Sequence, residues 1–586
     1  MKKQIACGRA SAPEAGFALI MVMGIGLVLV LLMATAVTLS VSNLQKARGD
    51  QDWSAADAAA YAGVADYTAK LANDNVYYRY GNPAARFSPL NTVTPPPTPN
   101  PAFALGVDEA SWAVVPGGLA TAKYRYEVDN SAYVSSGIVR LRVTGKVGSA
   151  LRSILVSVKQ RGFVDYLYFT RYELIDPIQS NAACVPSYAW QVPHSAKCME
   201  VTFGSADTLD GPVHSNDTIR VCGAKFLQGL SSSSQVYPYY ISPSGCALPN
   251  FAAGSDNQPV TRVPIDLPST NSQLKQEVRV DLAKVPSPGC LYTGPTSIVF
   301  NGNKTMTIKS PFTRATNLAA DFSGTLNIGS AGATCGLIGA AHNSLGNVGG
   351  ATIPVIDSNL IYIQDVPSAS SADPNYWAHG GYPSSFTCNN ASSVAGWKFG
   401  SLAYPLAAEK TPAATPAHYG CRRGDVYVSG NLQGRLTLAA ENYVYVTGDI
   451  IYSNSSANGD LLGLVGNNSV WVWNPQSSDG TALLPSNRHI AAAIVSVNHS
   501  FQVQNFSTGA VRGTLTIFGA IAQQFRGTTG TATASAMVTG FSKAYVYDKR
   551  LKHQVPPKFL SPVAATFSTT QLVEVSPPFA VDGSYR

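Results

Sequence analysis

Charged side chains are scarce in this chain. Asp, Glu, Lys and Arg make up 13% of its 586 residues, against about 25% in an ordinary soluble domain. What else is missing narrows the chemistry. No two of the nine cysteines form a CxxC pair, so neither a zinc ribbon nor a thioredoxin-type redox centre is indicated. There is no HExxH, no glycine-rich loop ending in Lys-Ser/Thr and no EF-hand loop, which removes the short-motif routes to a zinc hydrolase, a nucleoside triphosphatase and a calcium sensor. The eight histidines are dispersed, with no i,i+4 pair. The formal charge is only +7 and no long run of Lys and Arg occurs, so nucleic-acid or membrane-surface binding is not implied. Neither a metal nor a cofactor is expected.

What is plentiful points outside the cytosol. Gly (51), Pro (37) and Tyr (28, against 21 Phe) give the profile of an exported β protein. The length allows several domains. Cys7 lies in the N-terminal basic segment; the other eight, Cys184, Cys198, Cys222, Cys246, Cys290, Cys335, Cys388 and Cys421, all follow residue 180. An even number fits four disulfides in an oxidising compartment. Eight cysteines permit on the order of 100 pairings. Pairing of sequence neighbours (184–198, 222–246, 290–335, 388–421) is adopted as a guess, with buried free thiols the alternative.

The N-terminus carries the strongest signal. A basic segment with Lys2, Lys3 and Arg9 ends at Gly16, and Phe17 to Gln45 contains no charge at all. About 20 apolar residues suffice to cross a bilayer as a helix, and the flanking Lys and Arg hold the N-terminus on the cytoplasmic side. Residues 46 to 74 continue without proline and are rich in alanine, so helix propensity stays high. One helix from Phe17 to about Asn73 would be roughly 85 Å long, half apolar and half amphipathic.

Gly16, Phe17, the apolar half-helix and the polar run DQDWSAADAAAYAGVADY resemble a type IV prepilin, specifically the minor-pilin group with a PilX-like N-terminal segment. The resemblance implies cleavage by a prepilin peptidase after Gly16, Phe17 as the new N-terminal residue with methylation, and an apolar helix that serves first as an anchor in cytoplasmic-membrane lipid and then as filament core. Other pilins and the pilus assembly platform are the implied partners. The leader would be 1–16, and its three basic residues less Glu14 contribute +2, leaving +5 on the mature chain. The family's usual fifth-position Glu is here Met21. A carboxylate in lipid is costly without a partner, so its loss suits a subunit that docks beneath no other, as in tip-located minor pilins or the K-type pseudopilin of type II secretion. Close packing among helices would involve Met21, Gly24, Gly26 and Ala34. The alternatives are a plain signal anchor and a secretory signal cut after Ala34-Thr35-Ala36.

Downstream the pattern turns to β. Six prolines between 89 and 101 favour an extended spacer over 75–109. From 110 to 161 the period is two: Val139, Leu141 and Val143 alternate with Ile138, Arg140 and Arg142, and Ile154, Val156 and Val158 with polar neighbours. That predicts a small antiparallel sheet with one polar face, its apolar side covered by the helix from 53 to 72. Residues 162–586 show short strands parted by Gly, Asn and Asp, with inward pairs such as Val426/Val428, Leu436/Leu438 and Val444/Val446. The expected fold class is α+β: a long pilin-like helix on a small sheet, then a large all-β region, expected to be a right-handed parallel β-helix, with a large sandwich as runner-up. The segments LDGPVHSND and AYVYDKRLKHQVPPKFL are similar to β-solenoid regions of large PilX-like surface proteins and assign no site.

Two sets of residues are candidates for recognition or chemistry. Asp207, Asp210, His214 and Asp217 come nearest to a catalytic constellation, with Asp210 and Asp217 flanking a turn. Paired carboxylates about 5 to 9.5 Å apart are what a glycan hydrolase needs; Asx turns explain the same residues. The aromatic runs with Trp471 and Trp473, Tyr237 and Tyr239, and Tyr545 and Tyr547 are candidate surfaces for a carbohydrate or cell-surface ligand, unless alternate rings face the core. The function expected is a non-enzymatic minor pilin with a large extracellular head, anchored by a single pass and then displayed at the cell surface, acting in pilus assembly, priming and adhesion. The alternatives are a membrane-tethered β-helix enzyme acting on polysaccharide and a type II secretion pseudopilin.

Overall fold

The structure is a computed structural model. It describes residues 15–586 except 75–76, 88–89, 107–110, 119–120, 134–137, 161, 181–182, 255–256, 286, 321–325, 329–332, 370–371, 390–395, 411–417, 458, 534–535 and 563–566. The leader ahead of residue 15 therefore lies outside the described residues.

A single helix, α1 (Ala15–Asn73), carries the alanine-rich and apolar stretches without a break. Its second half meets a small antiparallel sheet of β1 (Ala113–Val114), β2 (Lys123–Asp129), β3 (Ile138–Val147) and β4 (Ala150–Gln160). Ala60, Val64, Tyr67 and Leu71 recur at helical spacing and are buried against Tyr124, Tyr126, Val139, Leu141, Val143 and Val156. Two glycines set the approach. A Cβ on Gly145 would stand 1.9 Å from the Ala56 carbonyl oxygen, and one on Gly63 would stand 2.6 Å from Val143 Cγ1. The helix lies on the sheet at a distance only glycine permits.

Three sequence expectations about this module need correcting. The Pro-rich stretch is no free spacer: Phe103 and Val93 are buried in the module core, and Asn82 donates to the Ala104 carbonyl at 2.7 Å. The β region does not run uninterrupted to residue 586, because the C-terminal strand Phe567–Val575 returns to pair antiparallel with β4. And the sheet's polar face is not in water. Arg125, Glu127 and Lys146 are buried on it, where Arg125 donates to the Gly583 carbonyl at 2.8 Å, Lys146 to the Val581 carbonyl at 2.7 Å, and Tyr585 to Glu127 at 2.9 Å. The last residues of the chain clasp that face.

Between these parts the chain builds a stack of parallel strands in three ladders. The first ladder runs, neighbour by neighbour, through Cys290–Thr293, Asn359–Gln364, Arg435–Ala440, Leu461–Gly466, 493–496, 520–525, Tyr168–Tyr172, Val213–Ser215, Leu230–Ser232 and Val260–Thr261. At about 4.8 Å per strand, these ten strands span roughly 43 Å. A second ladder joins 296–301, 426–431, 444–446, 470–472 and 501–503. A third joins 430–432, 450–452, 488–492, 515–519, 543–547, 208–210, 225–226 and 250–251. Val426, Val428, Val444, Val446, Val470 and Val472 point into a common apolar core, since side chains alternate along a strand. At the corner between the second and third ladders Gly430 has φ +109°, and a Cβ there would meet the Phe300 carbonyl oxygen at 2.2 Å.

The order of the strands in space is not their order in the chain. The polypeptide enters the stack in its middle, at Tyr168, and winds out to Val260–Thr261. It then runs back along the outside of the first ladder, where Leu267, Leu274 and Val278 cover Phe169, Val465, Tyr362 and Leu291. It re-enters at the opposite end, at Cys290, and returns coil by coil until 521–525 pairs with 168–172.

Candidate functional site

The most conspicuous surface of the molecule is the first half of α1. From Leu19 to Leu44 its large apolar side chains are exposed; Leu19, Ile20, Met21, Val22 and Met23 are all more than half accessible. A Cβ on Gly24 or Gly26 would meet nothing within 4 Å, and Ala34 is likewise exposed. The α1 segment Leu19–Asn73 is long and apolar enough to cross a membrane. Gly16 and Phe17 fall in the first turn of α1. Because hydrocarbon in water is unfavourable by about 25 cal/mol per Å², so large an apolar cylinder requires lipid or other helices around it.

The cluster of acids anticipated between 207 and 217 is not brought together. Asp207 pairs with Lys543 at 3.0 Å, and Asp210 accepts from Gln228 at 3.1 Å. His214 is buried against Tyr166 and Phe169 and bonds Ser231 at 3.0 Å; burial pushes its pKa down to about 4. Asp217 faces a different partner altogether, His194, at 3.0 Å. Each of these side chains is held by a different partner.

The aromatic candidates are redistributed as well. Trp471 and Trp473 are 9% and 6% exposed and do not form a ligand surface. Trp471 does point outward from its ladder, in line with Tyr427 and Tyr445 on neighbouring strands. An excursion from the stack, with the antiparallel strands Phe386–Asn389, Gly396–Phe399 and Leu402–Tyr404, folds over this aromatic row. Trp397, Phe399 and Tyr404 pack on it, and Trp473 donates to the Tyr419 hydroxyl at 2.8 Å. Beneath this cover Glu409 is pushed up by burial, and burial lowers His418 to about 4. Tyr545 and Tyr547 are also core residues. Tyr237 alone of the named rings is largely exposed, at 79%, with Tyr239 half-buried beside it.

Among the described residues all eight cysteines are engaged in disulfides. Disulfides join Cys184 to Cys198, Cys222 to Cys246, Cys290 to Cys335 and Cys388 to Cys421, the sequential pairing. Among the described residues no group of three or more His, Cys, Asp or Glu is placed to hold a metal ion.

One ionic cluster had no sequence signal. His194 sits between Glu200 at 2.8 Å and Asp217 at 3.0 Å, and Glu200 also holds Arg220 at 2.8 Å. Burial works against the imidazolium, but hydrogen bonds and charge from Asp217 and Glu200 outweigh it and raise the His194 pKa to about 9. The spacings of 6 and 23 residues match no motif. The cluster fastens the loop that carries the Cys184–Cys198 disulfide to the stack.

No family model and no curated protein matches the chain. One solved structure with some likeness is that of the competence-associated pilin ComZ from Thermus thermophilus, 13% identical, covering 89% of this chain and 97% of that one, with a TM-score of 0.25. So low a TM-score establishes no common fold.

Proposed function

We propose that this chain is a minor, tip-located or low-abundance, type IV pilin-like subunit with a large β-helical head, active in pilus assembly and priming and in surface adhesion. The observation that carries the proposal is the continuity of α1. One rigid helix presents about 26 exposed, uncharged residues and then, without a break, packs its alanine-rich half on an antiparallel sheet. A soluble protein has no use for such a projection, whereas a subunit that leaves a membrane to pack beside like helices needs both halves joined. Without water, helix association rests on close packing, which Gly24, Gly26 and Ala34 favour.

The head is read as a parallel β-helix because successive strands of each ladder pair in parallel register, which a sandwich built from hairpins would not do. Its bulk suits one position at a tip better than repetition along a shaft. It is read as non-catalytic because Asp207, Asp210 and Asp217 are each held by a different structural partner. Processing after Gly16 by a prepilin peptidase, residence in the cytoplasmic membrane with the N-terminus inside, and later display outside the cell follow from the same reading.

Mass spectrometry of the N-terminus in membrane and sheared-fibre fractions tests it. A product beginning at Phe17 in both fractions supports the assignment. A product beginning at Val37, water-soluble and absent from fibres, overturns it. Deletion that stops protein secretion yet leaves fibres intact would transfer the subunit to a secretion pseudopilus.

A further inference from the structure

A cavity of about 420 Å³ lies between the helix-and-sheet module and the β-rich body, within the usual size of ligand pockets (about 300–1,000 Å³). Arg79 and Lys159 reach it from the module, Lys284 and Lys558 from the body, and Glu277 is the one carboxylate among its lining residues. Lys558 pairs with Glu277 at 3.2 Å and Lys159 with Asp165 at 3.0 Å. Arg79 donates to the Lys284 carbonyl at 2.6 Å, and Lys284 donates to the Gln276 side chain. Lys159 is buried and held by Asp165 and the Leu551 carbonyl, whereas Arg79 and Lys284 bond neutral acceptors, which leaves the cavity wall net positive at its rim. Burial lowers the Lys558 pKa, against the opposing pull of Glu277.

The rest of the lining is not that of a bare anion site. Tyr78 and Tyr133, stacked 3.6 Å apart, and the half-buried Phe559 supply flat apolar faces, while Thr92 and Ser358 offer hydroxyls. A sugar ring has apolar C–H faces that suit aromatic walls and hydroxyls that suit the polar ones. A neutral sugar would leave the cations unused, and a simple anion would leave the rings unused. We propose that this junctional cavity binds a carboxylate-bearing sugar, such as a hexuronate unit of an acidic glycan. Its carboxylate lies toward Arg79 and Lys284 at the rim and its ring lies against the aromatic wall. The inference deepens the adhesive part of the reading above. Binding is measured on the purified chain, so its failure and the failure of the fibre assignment are separately visible.

The test is titration calorimetry on the detergent-solubilised full chain at low salt with glucuronate, glucose and inorganic phosphate. Glucuronate should bind, with glucose and phosphate at least about tenfold weaker; Lys284→Gln should weaken glucuronate by about tenfold without moving the thermal unfolding midpoint, and Arg79→Gln should weaken it by about tenfold as well. Lys284 is exposed, so its substitution leaves folding unchallenged. Phosphate binding as tightly as glucuronate overturns the proposal in favour of a bare anion site. Glucose binding as tightly overturns the role given to the cations, and no binding at millimolar ligand overturns the site.

Discussion

Arg526 and Glu173 lie at the seam where the first strand of the stack meets one of the last, and their replacement tests whether that seam holds the body together. The two are 353 residues apart in the chain and 2.7 Å apart in space. Both side chains are essentially inaccessible, at 1% and 0%. Arg526 also donates to the Val201 carbonyl at 3.2 Å and lies 3.6 Å over the Phe203 ring. One further ion pair, Lys543–Asp207 at 3.0 Å, and a hydrogen bond between His499 and Asp176 at 2.6 Å cross the same seam. Removing one member of a buried pair leaves the other charged and dry, which costs about 3–5 kcal/mol. Arg526→Met and Glu173→Gln should therefore each destabilise by about that amount, lowering the midpoint of a calorimetric scan by roughly 3–6 °C. The double variant removes both charges and should be clearly less destabilised than the sum, with a coupling of about 0.5–3 kcal/mol. If each single variant loses less than about 1 kcal/mol, or the double variant equals the sum, the seam is not closed by this pair and the reasoning fails.

Other expectations follow from particular contacts. Gly145→Ala places a methyl 1.9 Å from the Ala56 carbonyl, so α1 must lift off β3; the module should become protease-sensitive and lose about 1–3 kcal/mol or more. Gly24→Ala and Gly26→Ala, with nothing within 4 Å, should leave the thermal unfolding of the isolated chain unchanged yet reduce its recovery in sheared fibres. Wild-type recovery would remove these glycines from filament packing. Replacing Cys388 and Cys421 by Ser releases the excursion over the aromatic row, which should shift tryptophan emission to the red and raise binding of an apolar dye; an unchanged spectrum would show that packing alone holds the cover. The His194 pKa of about 9 stands above the ordinary 6.5, so the stability this group contributes is complete below pH 6.5 and is lost as pH rises through about 9. Proteolysis in the 176–200 loop should accelerate over that interval relative to the rest of the body, and His194→Gln should flatten the dependence.

Much of this architecture was written in local pattern. The uncharged run from Phe17, the alanine-rich continuation and the two-residue period of β3 and β4 each act within a few residues of themselves, because helix propensity and side-chain alternation are short-range properties. The inward valines of the ladders were legible for the same reason. The sequential disulfides were no more than one pairing among many until the coils placed each cysteine beside its neighbour. Trp471 shows the limit: read as a candidate surface ring, it leaves its strand on the side away from the valines, but outward is not exposed, and only the excursion folding over it decided that it is buried. Arg125 and Glu127 likewise read as a wet face until the C-terminal residues covered them.

What the sequence alone determined is the periodic part, namely one long helix, a small sheet and many short strands with apolar insides. Tertiary structure alone decided the order of the coils, the entry of the chain at the middle of its own stack, and the pairings of His194 with Asp217 and of Arg526 with Glu173. Those contacts join residues tens to hundreds of positions apart. No local rule of spacing or propensity reaches across such distances; only the burial of whole faces against one another selects them.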